Sequence, residues 1–245
     1  MQSNTAIVVS DAHLSAASPE ATGAFHRLLR AAPDLCDQLV INGDLFEFWF
    51  EYRSVIPRAA FPTLDALAAV RRAGVELTLT GGNHDRWGGP FWREQLGANF
   101  HADAVELELA GLRALVAHGD GVVDGELGAR LVHRIIGWPL TVKLFRALHP
   151  DVGYALVRRL APLLAGNRDE DVVRRAATSQ REHAERLLAQ RQELDLLVLG
   201  HTHRAALVEA GPRRWYVNPG AWCDGWRYAV IDQHGPRLER FEAGA

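Results

Sequence analysis

The segment Thr80-Gly81-Gly82-Asn83-His84-Asp85 decides how the chain is read. An alternating run, Val75-Glu76-Leu77-Thr78-Leu79, leads into it and predicts a buried strand. Two glycines then let the backbone turn sharply and come close to a ligand. An amide oxygen, an imidazole and a carboxylate follow at once. Open α/β sheets collect their chemistry outside the carboxyl ends of strands, so a site is expected here. The same residues also suit a plain strand-to-helix turn with Asn83 or Asp85 as N-cap. Whether other strands end the same way separates the two readings.

Four others do. The predicted strand at 6–10 ends in Asp11-Ala12-His13, and the strand at 38–42 ends in Gly43-Asp44-Leu45-Phe46-Glu47. The strand at 112–117 runs into His118-Gly119-Asp120, and that at 194–199 into Gly200-His201-Thr202-His203. While the chain stays extended, residues two apart point the same way, so Asp-x-His and His-x-His aim both members at one point. The candidate ligands are Asp11, His13, Asp44, Asn83, His118, His201 and His203. Carboxylates, an amide and imidazoles without thiolates suit Mn²⁺, Fe²⁺ or Zn²⁺ in a reactive site rather than a structural zinc. Seven ligands exceed the need of one four-coordinate ion, so two metals sharing a carboxylate are expected. Two ions roughly 3.5–4 Å apart clamp a phosphate and turn a bridging water into hydroxide at neutral pH, for attack in line with the leaving oxygen. No nucleophilic Ser or Cys is needed.

The rest of the chain frames this site. Its 245 residues, 48% hydrophobic and 23% charged, fit one large α/β domain over 1–245. A net charge of −3 argues against a general nucleic-acid surface. Cys36 and Cys223 match no metal spacing and point to free thiols in a reducing compartment. With a strand starting almost at once and no bilayer-length apolar run, a cytoplasmic location is expected. Ser18-Pro19 opens a helix to about Ala32, a second helix runs from about Pro62 to Ala73 before Gly74, and a short one spans about 91–96. Ala110-Gly111 is the expected hairpin between strands at 105–109 and 112–117. From about 122 to 191 strand signal disappears, and helices are expected at 140–148, 152–164 and 169–190 as an insertion. Short tail strands at 206–209, 215–218, 227–231 and 237–241 predict antiparallel neighbours.

The five blocks, in this order, resemble the calcineurin-like metallophosphoesterases, whose signature is Asp-x-His, Gly-Asp, Gly-Asn-His-Asp, a lone His and Gly-His-x-His. The resemblance covers about 6–120 and 194–241. It implies a sandwich of two β-sheets flanked by helices. It also implies that Asp11, His13 and His203 hold one metal and Asn83, His118 and His201 the other, with Asp44 bridging. His84 would bind the phosphate and protonate the leaving group; Asp85 and Asp120 are candidates for orienting histidines.

Gly43 to Trp49, the helical insertion, and Asn218-Pro219-Gly220-Ala221-Trp222 are similar to the UDP-2,3-diacylglucosamine hydrolases and their relatives. That branch cleaves an acylated nucleotide-sugar diphosphate to UMP and a lipid monophosphate, and its insertion is a lid for the lipid. Its best-known hydrolases read Gly-Asn-Arg-Asp where this chain has Gly82-Asn83-His84-Asp85. From Glu126 to Gln190, eleven Lys and Arg against seven Asp and Glu give +4, a charge that attracts a diphosphate. Arg130 and Arg134 are the candidate diphosphate contacts, and Phe145 and Leu148, with Trp138, Leu140 and Leu144, the candidate acyl or membrane contacts. The same apolar residues also suit simple packing of the insertion on the core. A hydrolase of lipid-linked or nucleotide diphosphates is favoured, with Mn²⁺ as the expected metal. The alternatives are a phosphodiesterase or phosphatase for small soluble esters, and a non-catalytic scaffold like the retromer subunit of this fold.

Overall fold

Two sheets face each other, and β1 (Ala6–Val9) shows why. All four residues are buried. Ala6 and Val8 belong to the layer between the sheets, whereas Ile7 and Val9 pack beneath helices. A strand buried on both faces reads as a continuous apolar run, as Ala6-Ile7-Val8-Val9 does. The computed structural model describes residues 4–123, 138–164 and 169–242.

The first sheet has the order β11-β10-β1-β2-β3-β4. Here β1, β2 (Gln38–Asn42), β3 (Glu76–Thr80) and β4 (Asn99–His101) run parallel. β10 (Arg227–Asp232) lies antiparallel to β1, and β11 (Gly235–Arg240) antiparallel to β10. Parallel neighbours need crossovers, supplied by α1 (Pro19–Leu35), α2 (Phe61–Arg72) and α3 (Pro90–Leu96). Their buried Phe25, Leu28, Leu67 and Trp92 cover one face with Ile7, Leu39 and Leu77. The second sheet is β5-β6-β7-β9-β8, with β5 (Val105–Leu109), β6 (Leu112–Val116), β7 (Leu196–Val198), β8 (Ala206–Gly211) and β9 (Arg214–Asn218). Between β6 and β7 the chain is described as α4 (Asp120–Val123), α5 (Pro139–Ala147), α6 (Pro150–Leu164) and α7 (Glu170–Gln190). Ala184 and Leu188 of α7 seal the outer face of the second sheet against Leu197 and Tyr216.

The expected sandwich of two sheets flanked by helices is what the chain forms. The predicted cap of α1 is present, with Ser18 Oγ accepting from Ala21 N–H at 3.1 Å. Ala110 and Gly111 turn the β5–β6 hairpin with φ of 51° and 81°, the signs a two-residue primed turn needs. Two features differ from expectation. β4 has no counterpart in the sequence pattern, because only Phe100 of its three residues is strongly β-forming. The four tail strands are antiparallel pairs as expected, yet β8–β9 joins one sheet and β10–β11 the other. Among the described residues no helix is long and apolar enough to cross a membrane.

Candidate metal centre

Because β1, β2 and β3 are mutually parallel, and β6 and β7 likewise, all five candidate blocks leave their sheets near one edge of the sandwich. Backbone pairing continues past the strands: Asp11 N–H donates to Gly43 carbonyl at 3.2 Å, and His13 N–H to Asp44 carbonyl at 2.9 Å. Asp11, His13, Asp44, His201 and His203 then adopt positive φ, between 46° and 67°. That region is sparsely populated by side-chain-bearing residues and costs roughly 1–3 kcal/mol each, so it persists only where surrounding bonds enforce it. Gly82 is required for a different reason, since a Cβ there would overlap the Asp44 carboxylate.

The seven candidate ligands converge, with the Asp44 carboxylate in their midst. Asp44 Oδ2 lies 3.2 Å from His118 Nε2, 3.7 Å from His13 Nε2 and 4.0 Å from His84 Nε2. Asp11 Oδ1 lies 3.6 Å from His203 Nε2 and 3.9 Å from His118 Nε2. The Asn83 amide oxygen stands 3.0 Å from His201 Nδ1 and 3.3 Å from His118 Nε2. Two groups have their donor atoms within 4.8 Å of one another: Asp11, His13 and His203, and Asp44, His118 and His201. The first is one of the two expected ligand sets, and the second joins Asp44 to His118 and His201 of the other. A third group, His13, Asp44 and His84, brings His84 equally near. The donor chemistry fits divalent cations. His13 Nε2 is buried 3.7 Å from the Asp44 carboxylate and has no hydrogen-bond partner, as a nitrogen aimed at a cation would be.

The electrostatics point the same way. Burial disfavours a charged His118, but Asp44, with Asp11 and Asp120, overrides it and raises the His118 pKa well above its ordinary value. Burial, then the neighbouring His118, pushes His201 down to about 4. The cluster thus draws positive charge toward Asp44.

Several supporting residues escaped the sequence reading. His13 Nδ1 meets Glu47 Oε2 at 3.1 Å, and His203 Nδ1 meets Asp224 Oδ2 at 2.8 Å. These carboxylates fix the tautomers that turn Nε2 inward. Gln180 of α7, fully buried, donates to Gly200 carbonyl at 3.0 Å and accepts from Tyr216, Asn218 and Thr202, steadying the His201 loop. Asp85 does not orient a histidine. Its carboxylate accepts the N–H groups of Gly82 at 2.8 Å, Asp44 at 3.2 Å and Leu45 at 2.7 Å, locking two loops together. Burial and the Asp44 charge raise Asp85 to about 6. Asp120 lies 3.6 Å from Arg86 and acts on His118 through space.

Of the candidate substrate contacts, Arg130 and Arg134 lie outside the described residues. Phe145 is half-buried, its ring 4.7 Å from that of Phe50. Leu148 is exposed, with Trp138, Leu140 and Leu144 of the same segment and Val152, Leu156 and Leu160 of α6. The spacing 140, 144 in α5 and 152, 156, 160 in α6 puts each set on one helical face, and Leu148 caps the end of α5 in extended conformation.

Comparison with known proteins agrees. A family model for the calcineurin-like phosphoesterases matches residues 5–205. A UDP-2,3-diacylglucosamine hydrolase of Aeromonas salmonicida is 31% identical, covering 96% of this chain and 92% of its own. The hydrolase of the same name from Klebsiella pneumoniae is 30% identical over 88% of this chain and 90% of its own. That of Porphyromonas gingivalis is 29% identical over 82% of each.

Proposed function

The chain belongs to the calcineurin-like phosphoesterase family and is a metal-dependent hydrolase, and from that premise we propose that it cleaves the diphosphate of an acylated nucleotide sugar of the UDP-2,3-diacylglucosamine kind. The observation that carries the reading is the complete set of seven ligand-type side chains, Asp44 and the six around it, five of the seven on strained backbone. A scaffold has no use for such strain. Relatives of one name over most of the chain support the substrate class. The domain is read as a single unit over 1–245 with its helical segment inserted at about 122–191.

In this reading Asp11, His13 and His203 would hold one divalent ion and Asn83, His118 and His201 a second, with Asp44 serving both. Mn²⁺ suits the mixed oxygen and imidazole donors ahead of Fe²⁺ or Zn²⁺. Such ions supply Lewis acidity toward the phosphoryl oxygens and a water acidic enough to ionise at neutral pH.

His84 does the proton chemistry. Its Nδ1–H donates to the Glu47 carbonyl at 2.7 Å, so Nε2 is the nitrogen presented to the site. As imidazolium it gives the Nε2 proton to the leaving oxygen while the oxygen of a water that has released its proton to solvent bonds phosphorus and the P–O bond breaks. The neutral tautomer that remains is the one the Glu47 carbonyl already favours.

Leu148 on the exposed face, and Phe145 at its root, provide apolar contact for an acyl chain. Lys143, Arg146, Arg158 and Arg159 are exposed in the same segment and complement an anionic lipid surface. We read the enzyme's work as lipid metabolism, carried out in the cytoplasm with peripheral contact at the inner membrane face, and these exposed apolar and basic residues support that reading.

A metal-reconstituted screen of diphosphates and diesters with product analysis tests the reading. The expected result is a nucleoside monophosphate and an acylated sugar phosphate from the acylated substrate. Release of orthophosphate from simple esters, with no preference for acylated diphosphates, would instead favour the small-ester phosphatase.

A further inference from the structure

The stretch from Glu47 to Tyr52 touches His84 on one side and the helical segment on the other. On the first side, the Glu47 carbonyl accepts from His84 Nδ1 at 2.7 Å, and Trp49 N–H donates to the His84 carbonyl at 3.0 Å. Glu51 N–H donates to Trp87 carbonyl at 3.1 Å, and Phe50 and Trp87 form a parallel bridge. Residues 47–51 therefore run beside 84–87 as a short ladder, and both the backbone and the imidazole of His84 hang on it.

On the other side, Phe48 meets Phe145 of α5 and Tyr154 of α6 edge-on, with ring centres 5.9 and 5.1 Å away. Phe50 lies 4.7 Å from Phe145, and Tyr52 is 6.3 Å from Phe145 and 6.4 Å from Tyr154. Arg146 stacks over Phe50 at 5.6 Å. The approach is as close as a glycine permits, since a Cβ on Gly153 of α6 would overlap the Tyr52 hydroxyl. Aromatic pairs at these distances are held by shape as well as by area, so a ring lost from α5 or α6 is felt by its neighbours on the ladder.

We propose that Phe145 and Tyr154 are positioning residues for His84: through Phe48 and Phe50, the helical segment sets where the Glu47 carbonyl and Trp49 amide hold the imidazole. The segment thereby governs leaving-group protonation in addition to substrate capture, even for an ester with no acyl chain. The inference rests on His84 being the acid of the proposed reaction.

The test uses Phe145→Ala, Tyr154→Ala and His84→Ala, singly and combined, on two water-soluble esters with a good and a poor leaving group. Each ring variant is expected to lower kcat for the poor leaving group about 10-fold, a fraction of the full worth of a general acid. The loss should shrink for p-nitrophenolate, with KM and bound metal unchanged. Combined with His84→Ala, a ring variant should add nothing further, because both act through one proton transfer. Phe145→Tyr, which keeps the ring, should restore wild-type kcat. The His84 imidazole resonances should also move in Phe145→Ala, a readout independent of turnover. Additive losses in the combined variants, with His84→Ala itself impaired, overturn the inference and leave the acid in place. An unimpaired His84→Ala on both esters removes the acid assignment and the inference with it.

Discussion

The strand-end rim and the α5–α6 segment are opposites built from one chain. At the rim, Asp11, Asp44 and His118 are buried, and five ligand-type residues are bent into positive φ. Along α5 no residue is buried at all, and seven large apolar side chains between 138 and 160 face outward. Charges that must meet a cation or a phosphate need positions fixed to a fraction of an ångström, so hydrogen bonds over-determine them. A surface for a supple lipid needs area and little exactness. The difference teaches where rigidity is required and where exposure is.

Four experiments can break or sharpen that contrast. Asp44→Ala strikes the rim where both halves meet, and should abolish binding of both ions and cost several kcal/mol, at least about 10³-fold in turnover. Metal analysis checks it, and full occupancy would refute the shared-carboxylate assignment. His84→Ala should keep the ions and slow turnover roughly 10²–10⁴-fold, less with a good leaving group. An equal loss for good and poor leaving groups in a kinetic series would contradict proton donation. Glu47→Gln and Asp224→Asn remove the carboxylates behind His13 and His203, and each should weaken metal affinity about 10- to 100-fold. Calorimetric titration with Mn²⁺ reads this directly; unchanged affinity in both would mean the rim tolerates looser imidazoles than the geometry indicates. Leu144→Ser with Leu148→Ser should raise KM for an acylated substrate by roughly 10-fold and reduce adsorption to anionic vesicles, leaving a short soluble ester unaffected. If the same pair also loses metal, the outward apolar face acts on the ligands themselves and the contrast fails.

Much of this was legible beforehand, because the chemistry sits in blocks of two to four adjacent residues at strand ends. Asp-x-His, Gly-Asp and Gly-His-x-His each carry their meaning in local spacing. The residues that escaped act across distance. Glu47 reaches His13 from 34 positions away, and Gln180 reaches the Gly200 carbonyl from 20. A buried glutamine inside a helix dense in Arg and Glu gives no periodic signal of its own. Position alone makes Asp85 a candidate for orienting a histidine, whereas its carboxylate accepts three backbone amides, because spacing says nothing of which amides a carboxylate will find. The sheet assignment of the tail was hidden for the same reason. Hairpin spacing predicts a pair of strands, while the side of the sandwich it joins depends on which buried face it completes.

That tail assignment bears on how the protein comes to exist. β10 is the antiparallel partner of β1, with Ala6 opposite Ile231, and Trp222 N–H donates to the Ser10 carbonyl at 3.0 Å just ahead of Asp11. During synthesis, therefore, β1 waits with one edge open until β10 has left the ribosome. The second sheet can form in order behind it, but the frame around Asp11 and His13 closes only once Trp222 and β10 are in place. A nascent chain stalled before residue 222 should be unable to capture metal tightly, however well folded its earlier parts are, so catalytic competence arrives as a late, all-or-none event of translation.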